Sequence, residues 1–197
     1  MAASTLGTET LVASQVALWL VVLANMGLTL VIIRRLSKEQ RGTRPGLAVG
    51  DLAPEFTAET LMGEPLTRSD FQPRTAFVFL APGCPPCVES LPELMRLAKI
   101  AKPKGTDLVL VSSGDAESTR QLLAEAQVSG EIVVAPRTKH DFFERYRASS
   151  TPHFTLVENG KVVMAGAPYT SNQEWRTLVS DWENTDATAR AAKRSSV

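Results

Sequence analysis

The chain has 197 residues, enough for one well-buried domain with an appendage but short for two full domains. Lysine plus arginine equals aspartate plus glutamate at 21 each, so the formal net charge is zero and no bulk basic character points to nucleic acid. Recognition by this chain has to be local.

Residues 1–10 carry only Glu9 as a charge and read as an N-terminal tail. Residues 11–33, LVASQVALWLVVLANMGLTLVII, carry none, and as a helix they would span roughly 35 Å at about 1.5 Å per residue. That length crosses a bilayer. A buried core helix would show a polar stripe, but Gln15 and Asn25 are the only strongly polar side chains here. A cleaved leader fits less well, because the segment is longer than an h-region and runs into Arg34-Arg35 instead of a small-residue cleavage site. Residues 11–33 are therefore predicted to be a retained, single-pass transmembrane anchor.

Residues 34–50, RRLSKEQRGTRPGLAVG, are charged and punctuated by Gly and Pro, as in a linker. Their Arg34, Arg35, Lys38, Arg41 and Arg44, taken alone, would hold the following domain in the cytoplasm by the positive-inside rule. A folded domain is predicted over residues 51–183. The tail over 184–197 has almost no large apolar residue and reads as flexible.

Within 51–183 strand and helix signals alternate. EFTAET and EPLT flank Met62-Gly63 as a small hairpin, and TAFVFL (75–80) reads as a buried strand leading to the cysteines. Val88, Leu91, Met95 and Ala98 recur at helical spacing, which predicts a helix from Cys84 to about Ala101 with a kink at Pro92. DLVLV (107–111) is the next strand. A helix should follow from Asp115, its N-cap, to Gly130, its stop, and then the strand EIVV (131–134). HDFFERY (140–146) predicts a short helix. HFTLV and KVVMA, joined through Asn159-Gly160, predict an antiparallel hairpin. The last helix opens with Ser171 and Glu174 at capping-box spacing and aligns Trp175, Leu178, Val179 and Trp182 as a core face. This order predicts an α/β fold with a mixed central sheet flanked by helices and an N-terminal hairpin extension.

The chain's two cysteines, Cys84 and Cys87, enclose Pro85 and Pro86 where a strand meets a helix. Cys84 would sit at the helix N-terminus, where unpaired N–H groups and the helix dipole favour a thiolate. Pro85 suits the first turn because it has no N–H to leave unpaired, and Pro86 still lies among positions whose N–H lacks a partner. The expected chemistry is attack by the Cys84 thiolate on a partner disulfide, with Cys87 resolving the mixed disulfide; run backwards, the pair oxidises a dithiol. A disulfide closing so short a loop removes little chain entropy, which argues against a purely structural staple. A metal role would have to draw on the two histidines, His140 and His153, whose spacing is not that of a zinc finger.

The chain resembles the membrane-anchored TlpA/ResA-like thiol-disulfide oxidoreductases of thioredoxin-like fold, including the subgroup of methylamine utilisation accessory proteins. The resemblance rests on VGDLAPEF (49–56), RSDF (68–71), the GCPPC turn with Pro92 after it, Thr151-Pro152 before the last hairpin, and ENGKVV (158–163) within it. It implies that Pro152 is a cis-proline lying against the cysteines, and that Thr151 and Pro152 bind an extended stretch of the substrate. Cis bonds are largely confined to X-Pro, so the sequence permits this.

The resemblance further implies no cofactor beyond a redox-active Cys84–Cys87 disulfide, and no metal. The implied partners are protein dithiols or disulfides, a membrane or soluble redox partner, and the bilayer through the anchor. It places the catalytic domain on the extracytoplasmic side of a bacterial inner or plasma membrane, against the basic flank. The sequence departs from the family at Gly83, Val78 and Ser90, where relatives carry a tryptophan, a buried acid and a glutamate. The alternative function is a non-catalytic copper-binding or copper-delivery module on the same fold, with His153 as the additional ligand.

Overall fold

Residues 1–44 and residues 45–197 form two separate units, and the computed structural model describes residues 15, 17–31 and 45–195. In the first unit residues 17–31 are helical, α1. Its apolar side chains are exposed, Leu18, Trp19, Leu23 and Leu28 among them. Thr29 satisfies its hydroxyl within the helix, donating to the Asn25 carbonyl at 2.9 Å. No helix among the described residues is long and apolar enough to cross a membrane. The ends of the predicted span 11–33 lie outside the described residues, as do the tail 1–10 and linker residues 34–44.

In the second unit the chain is pinned earlier than the predicted linker end at residue 50. Gly46 N–H donates to the Arg147 carbonyl and Gly50 N–H to that of Val162, both at 2.8 Å. The strands β1 (Thr57–Glu59) and β2 (Pro65–Thr67) then form the expected antiparallel hairpin. Gly63 takes the positive φ of +85° that its turn requires. After a 3₁₀ turn at Arg68–Asp70 come β3 (Arg74–Leu80), α2 (Pro85–Ala101), β4 (Asp107–Ser112), α3 (Ala116–Glu125) and β5 (Val133–Val134). The short α4 (Phe142–Arg145), the hairpin of β6 (His153–Glu158) and β7 (Lys161–Gly166), and α5 (Gln173–Ser195) complete the unit.

Seven strands make one sheet in the order β2-β1-β5-β4-β3-β6-β7. The pairs β3–β4 and β4–β5 are parallel, and the others are antiparallel. β3 is central and covered on both faces, which is why it reads as a continuous apolar run. Ala76, Val78 and Leu80 face Leu91, Leu94 and Leu97 of α2, together with Trp175, Leu178 and Trp182 of α5. Phe77 and Phe79 face the other way, into a cluster with Phe56, Phe142, Phe143 and Tyr146. There the Phe56 and Phe142 rings stack at 3.6 Å between centroids.

Several boundaries differ from expectation, each for a local reason. α3 stops at Glu125, short of Gly130, because Gln127 adopts a φ of +53° and Val128 N–H reaches back to the Leu123 carbonyl. β5 pairs only over Val133–Val134, half of EIVV. The cap of α5 is Asn172, not Ser171: its Oδ1 accepts from Glu174 N–H at 2.9 Å and from Trp175 N–H at 3.3 Å. The backbone of 184–195 continues α5 as helix where a flexible tail was expected; its Ala, Arg and Lys are strong helix formers. α2 runs through Pro92 without interruption.

Candidate thiol-disulfide site

Two features of the chain between β3 and α2 set the geometry of the cysteines. Gly83 turns it with a φ of +71°, a left-handed value that a side chain would strain. Cys84 then takes an extended conformation as the N-cap of α2, with Pro85 and Pro86 in the first turn. The Cys84 carbonyl accepts from Cys87 N–H at 2.9 Å and from Val88 N–H at 3.2 Å. Both prolines sit where a missing N–H leaves nothing unpaired, as expected.

Cys84 and Cys87 form a disulfide across the first turn, with their Cα atoms 5.3 Å apart. The two sulfurs are not equivalent. Cys87 is fully buried among Val78, Leu80 and Leu91, whereas Cys84 is partly exposed beside the exposed Pro85 and Pro86. An incoming thiolate can therefore reach Cys84 and not Cys87.

The bond between Thr151 and Pro152 is cis. It precedes β6, whose pairing with β3 sets Phe79 against His153 and Val78 against Phe154. Thr151 thereby meets the cysteine turn: Cys84 Sγ lies 3.7 Å from the Thr151 carbonyl oxygen and 3.6 Å from its hydroxyl. The structure thus places Thr151, with Pro152 cis-bonded to it, beside the turn that carries Cys84, Pro85, Pro86 and Cys87.

His153 is not brought to the sulfurs. Its side chain lies on the Phe79 face of the sheet, 6.3 Å between ring centroids, opposite the face covered by α2. Burial alone lowers its pKa from the ordinary 6.5 to about 4. This removes the additional ligand that the copper-module alternative invoked. His140 is engaged elsewhere, its Nδ1 3.2 Å from the Thr57 hydroxyl and its Nε2 3.8 Å from the Glu59 carboxylate. Among the described residues no group of three or more His, Cys, Asp or Glu side chains is arranged to hold a metal ion.

The departures noted in the sequence are visible in space. Val78 is packed in the core on the same face as Cys87, so no carboxylate occupies that position. Ser90 donates its hydroxyl to the Cys87 carbonyl at 3.2 Å, and Glu89 is exposed. One supporting position was not singled out by the sequence. A Cβ on Gly114 would lie 2.5 Å from Pro82 Cγ, so only glycine lets the loop after β4 pass the turn that carries Cys84. The signal for it was Ser113-Gly114 directly before the Asp115 cap.

Comparison with known proteins agrees with this geometry. The Redoxin family model matches residues 48–181. The methylamine utilization protein MauD of Methylophilus methylotrophus is 32% identical over 168 residues, covering 79% of this chain and 77% of that protein. The thiol-disulfide oxidoreductase ResA of Geobacillus kaustophilus is 29% identical over 121 residues, covering 60% and 69% respectively. Among solved structures, the thioredoxin domain of a thiol-disulfide oxidoreductase from Bacteroides vulgatus superposes with a TM-score of 0.53 at 27% identity. That superposition covers 60% of this chain and 88% of that one.

Proposed function

We propose, from the premise that the chain belongs to the redoxin family and is a MauD-like, TlpA/ResA-like thiol-disulfide oxidoreductase, that Cys84 is its nucleophile and Cys87 its resolving thiol. The observation that carries the assignment is the asymmetry of the pair: Cys84 is partly exposed beside Thr151, and Cys87 is fully buried.

In the reducing direction the Cys84 thiolate attacks one sulfur of a partner disulfide, and the partner's other sulfur leaves as a thiolate. Cys87, deprotonated in turn, attacks Cys84 Sγ in the mixed disulfide. The Cys84–Cys87 bond forms, and the partner is released as a dithiol. Two electrons pass from the pair to the partner, and the reverse sequence oxidises a partner dithiol. The Thr151 hydroxyl stands where it can donate to a Cys84 thiolate. The backbone beside Pro152 is available to pair with an extended stretch of the partner.

A Cys87→Ser variant tests the assignment. It should accumulate a disulfide-linked adduct with its partner through Cys84, and a Cys84→Ser variant should not. Absence of any adduct from Cys87→Ser under oxidising conditions would overturn it.

The working site we propose is the extracytoplasmic face of a bacterial inner membrane, with residues 11–33 as the tether and partner proteins presented on that side. The uncharged run of residues 11–33 supports the tether. The family resemblance supports the side, against the basic flank that follows. Cysteines engineered into the C-terminal tail of a chain lacking Cys84 and Cys87 should react with a membrane-impermeant thiol reagent in intact cells. Protection of those cysteines would reverse the orientation.

A further inference from the structure

His153 opens β6 directly after the cis bond, and its side chain is 2% exposed with no hydrogen-bond partner for Nε2. The segment Pro45–Gly50, where the chain enters the domain, closes over it. Gly46, at a φ of +96°, approaches so closely that a Cβ there would lie 2.5 Å from Nε2 and 2.7 Å from Cε1 of His153.

This segment is lightly held. Gly46 N–H to Arg147 and Gly50 N–H to Val162 are its backbone bonds to the domain, Leu47 is its buried side chain, and Val49 is 66% exposed. Few apolar contacts and few backbone bonds are the marks of a locally weak element. Phe79 of β3, whose ring lies beside that of His153, and Ala165 of β7, whose Cβ would lie 3.5 Å from a Cβ on Gly46, belong to strands bound along their length in the sheet.

None of these neighbours carries a charge. Directly after the closing segment, the Asp51 carboxylate accepts from Ala48 N–H at 3.0 Å. Arg147, whose carbonyl takes Gly46 N–H, has an exposed side chain. An imidazolium in this position would be a buried charge without a counter-ion, which proteins avoid by rearranging or by refusing the proton. The weakest wall of the pocket is the one that yields.

We propose that His153 and Gly46 form a proton-operated latch: the neutral ring lets Pro45–Gly50 lie closed behind the strand that follows Thr151–Pro152, and protonation by solvent opens it. Release of six residues adds roughly 20 Å of reach between the domain and whatever precedes it, at about 3.4 Å per extended residue. Burial already holds the closed ring's pKa at about 4, against an ordinary 6.5, so acid favours the open form across that interval.

Hydrogen–deuterium exchange of the full-length protein in detergent micelles at pH 7 and pH 5, corrected for intrinsic rates, tests the latch. Protection of the Gly46 and Gly50 amides should fall roughly twentyfold on acidification, the ratio expected when opening restores the ordinary pKa. Amides of β3 and β4 should keep their protection. His153→Phe should abolish the pH effect, and Gly46→Ala should leave the segment open at pH 7. Unchanged protection in the wild type, or an equal loss in His153→Phe, overturns the proposal. If His153→Phe does not fold, the wild-type opening midpoint is compared with the His153 titration followed by NMR, and a midpoint that does not track it also overturns the proposal.

Discussion

The Thr151 hydroxyl lies 3.6 Å from Cys84 Sγ, the partly exposed sulfur of the pair, across 67 residues of sequence. In the reduced protein this hydroxyl can donate to a thiolate. A hydrogen bond to a charged group is worth about 1.5 kcal/mol or more, roughly one unit of pKa. Thr151→Val should raise the Cys84 thiol pKa by about one unit, followed by ultraviolet thiolate absorbance against pH. An unchanged titration would remove Thr151 from any role in stabilising the thiolate.

Stability should depend on pH through His153. Its folded pKa of about 4 lies below the ordinary 6.5, so between these values the unfolded chain binds more protons than the folded one. The contribution is complete above pH 6.5, is lost as pH falls towards 4, and is flat below that. Its full size, reached only while Pro45–Gly50 stays closed, is about 3 kcal/mol at roughly 1.4 kcal/mol per pKa unit; opening of that segment limits the loss to its own cost. As pH falls through this window the denaturant midpoint of wild type should drop relative to that of His153→Phe. Parallel curves would refute the assignment.

Gly83 and Gly114 flank the site and should respond differently to a methyl group. Around Gly83 no atom lies within 4 Å of a Cβ, so Gly83→Ala bears only the strain of a left-handed φ, about 1 kcal/mol. At Gly114 a Cβ would meet Ser118 Oγ, which can swing aside, and Pro82 Cγ at 2.5 Å in a ring that cannot rotate away. Gly114→Ala should therefore shift the turn before Cys84 and slow exchange with a model disulfide by more than Gly83→Ala does. Equal rates in the two variants would mean that Pro82 does not transmit the displacement.

Asn172 caps α5 through two N–H groups. Asn172→Ala should cost about 1 kcal/mol of stability, read as a lower Tm, whereas Ser171→Ala should change little. A larger loss at Ser171 would restore the capping box that the sequence suggested.

Those helix ends illustrate what was legible in the sequence. The element order, the Asn159-Gly160 hairpin, the cap at Asp115 and the tryptophan face of α5 follow from local chemistry, and local chemistry is what a sequence displays. The end of α3 at Glu125 depends on Gln127 accepting a left-handed φ that residue type does not advertise. Helical spacing marks Val88, Leu91, Met95 and Ala98 as the buried face of α2. The helix buries Cys87, Leu91, Leu94, Leu97 and Ala101 more deeply, because α2 packs against α5 as well as the sheet. The cysteine pair was legible as redox chemistry from its place at a helix start. The contact of Cys84 with Thr151, and the separation of His153 from both sulfurs, needed the register of β6 against β3.

The bridge between Leu52 and Lys161, with Gly50 and Asp51 bonded to Val162, lays the incoming chain along the outer side of β7. At the opposite border β2 is three residues long and begins with a proline. The outer groups of Val162 are thus already paired, and β2 is too short to present a long row of free amides and carbonyls to another sheet. Two copies of this domain can therefore collide often without pairing edge to edge through these strands, while the partly exposed Cys84 lies away from both borders, at the start of α2.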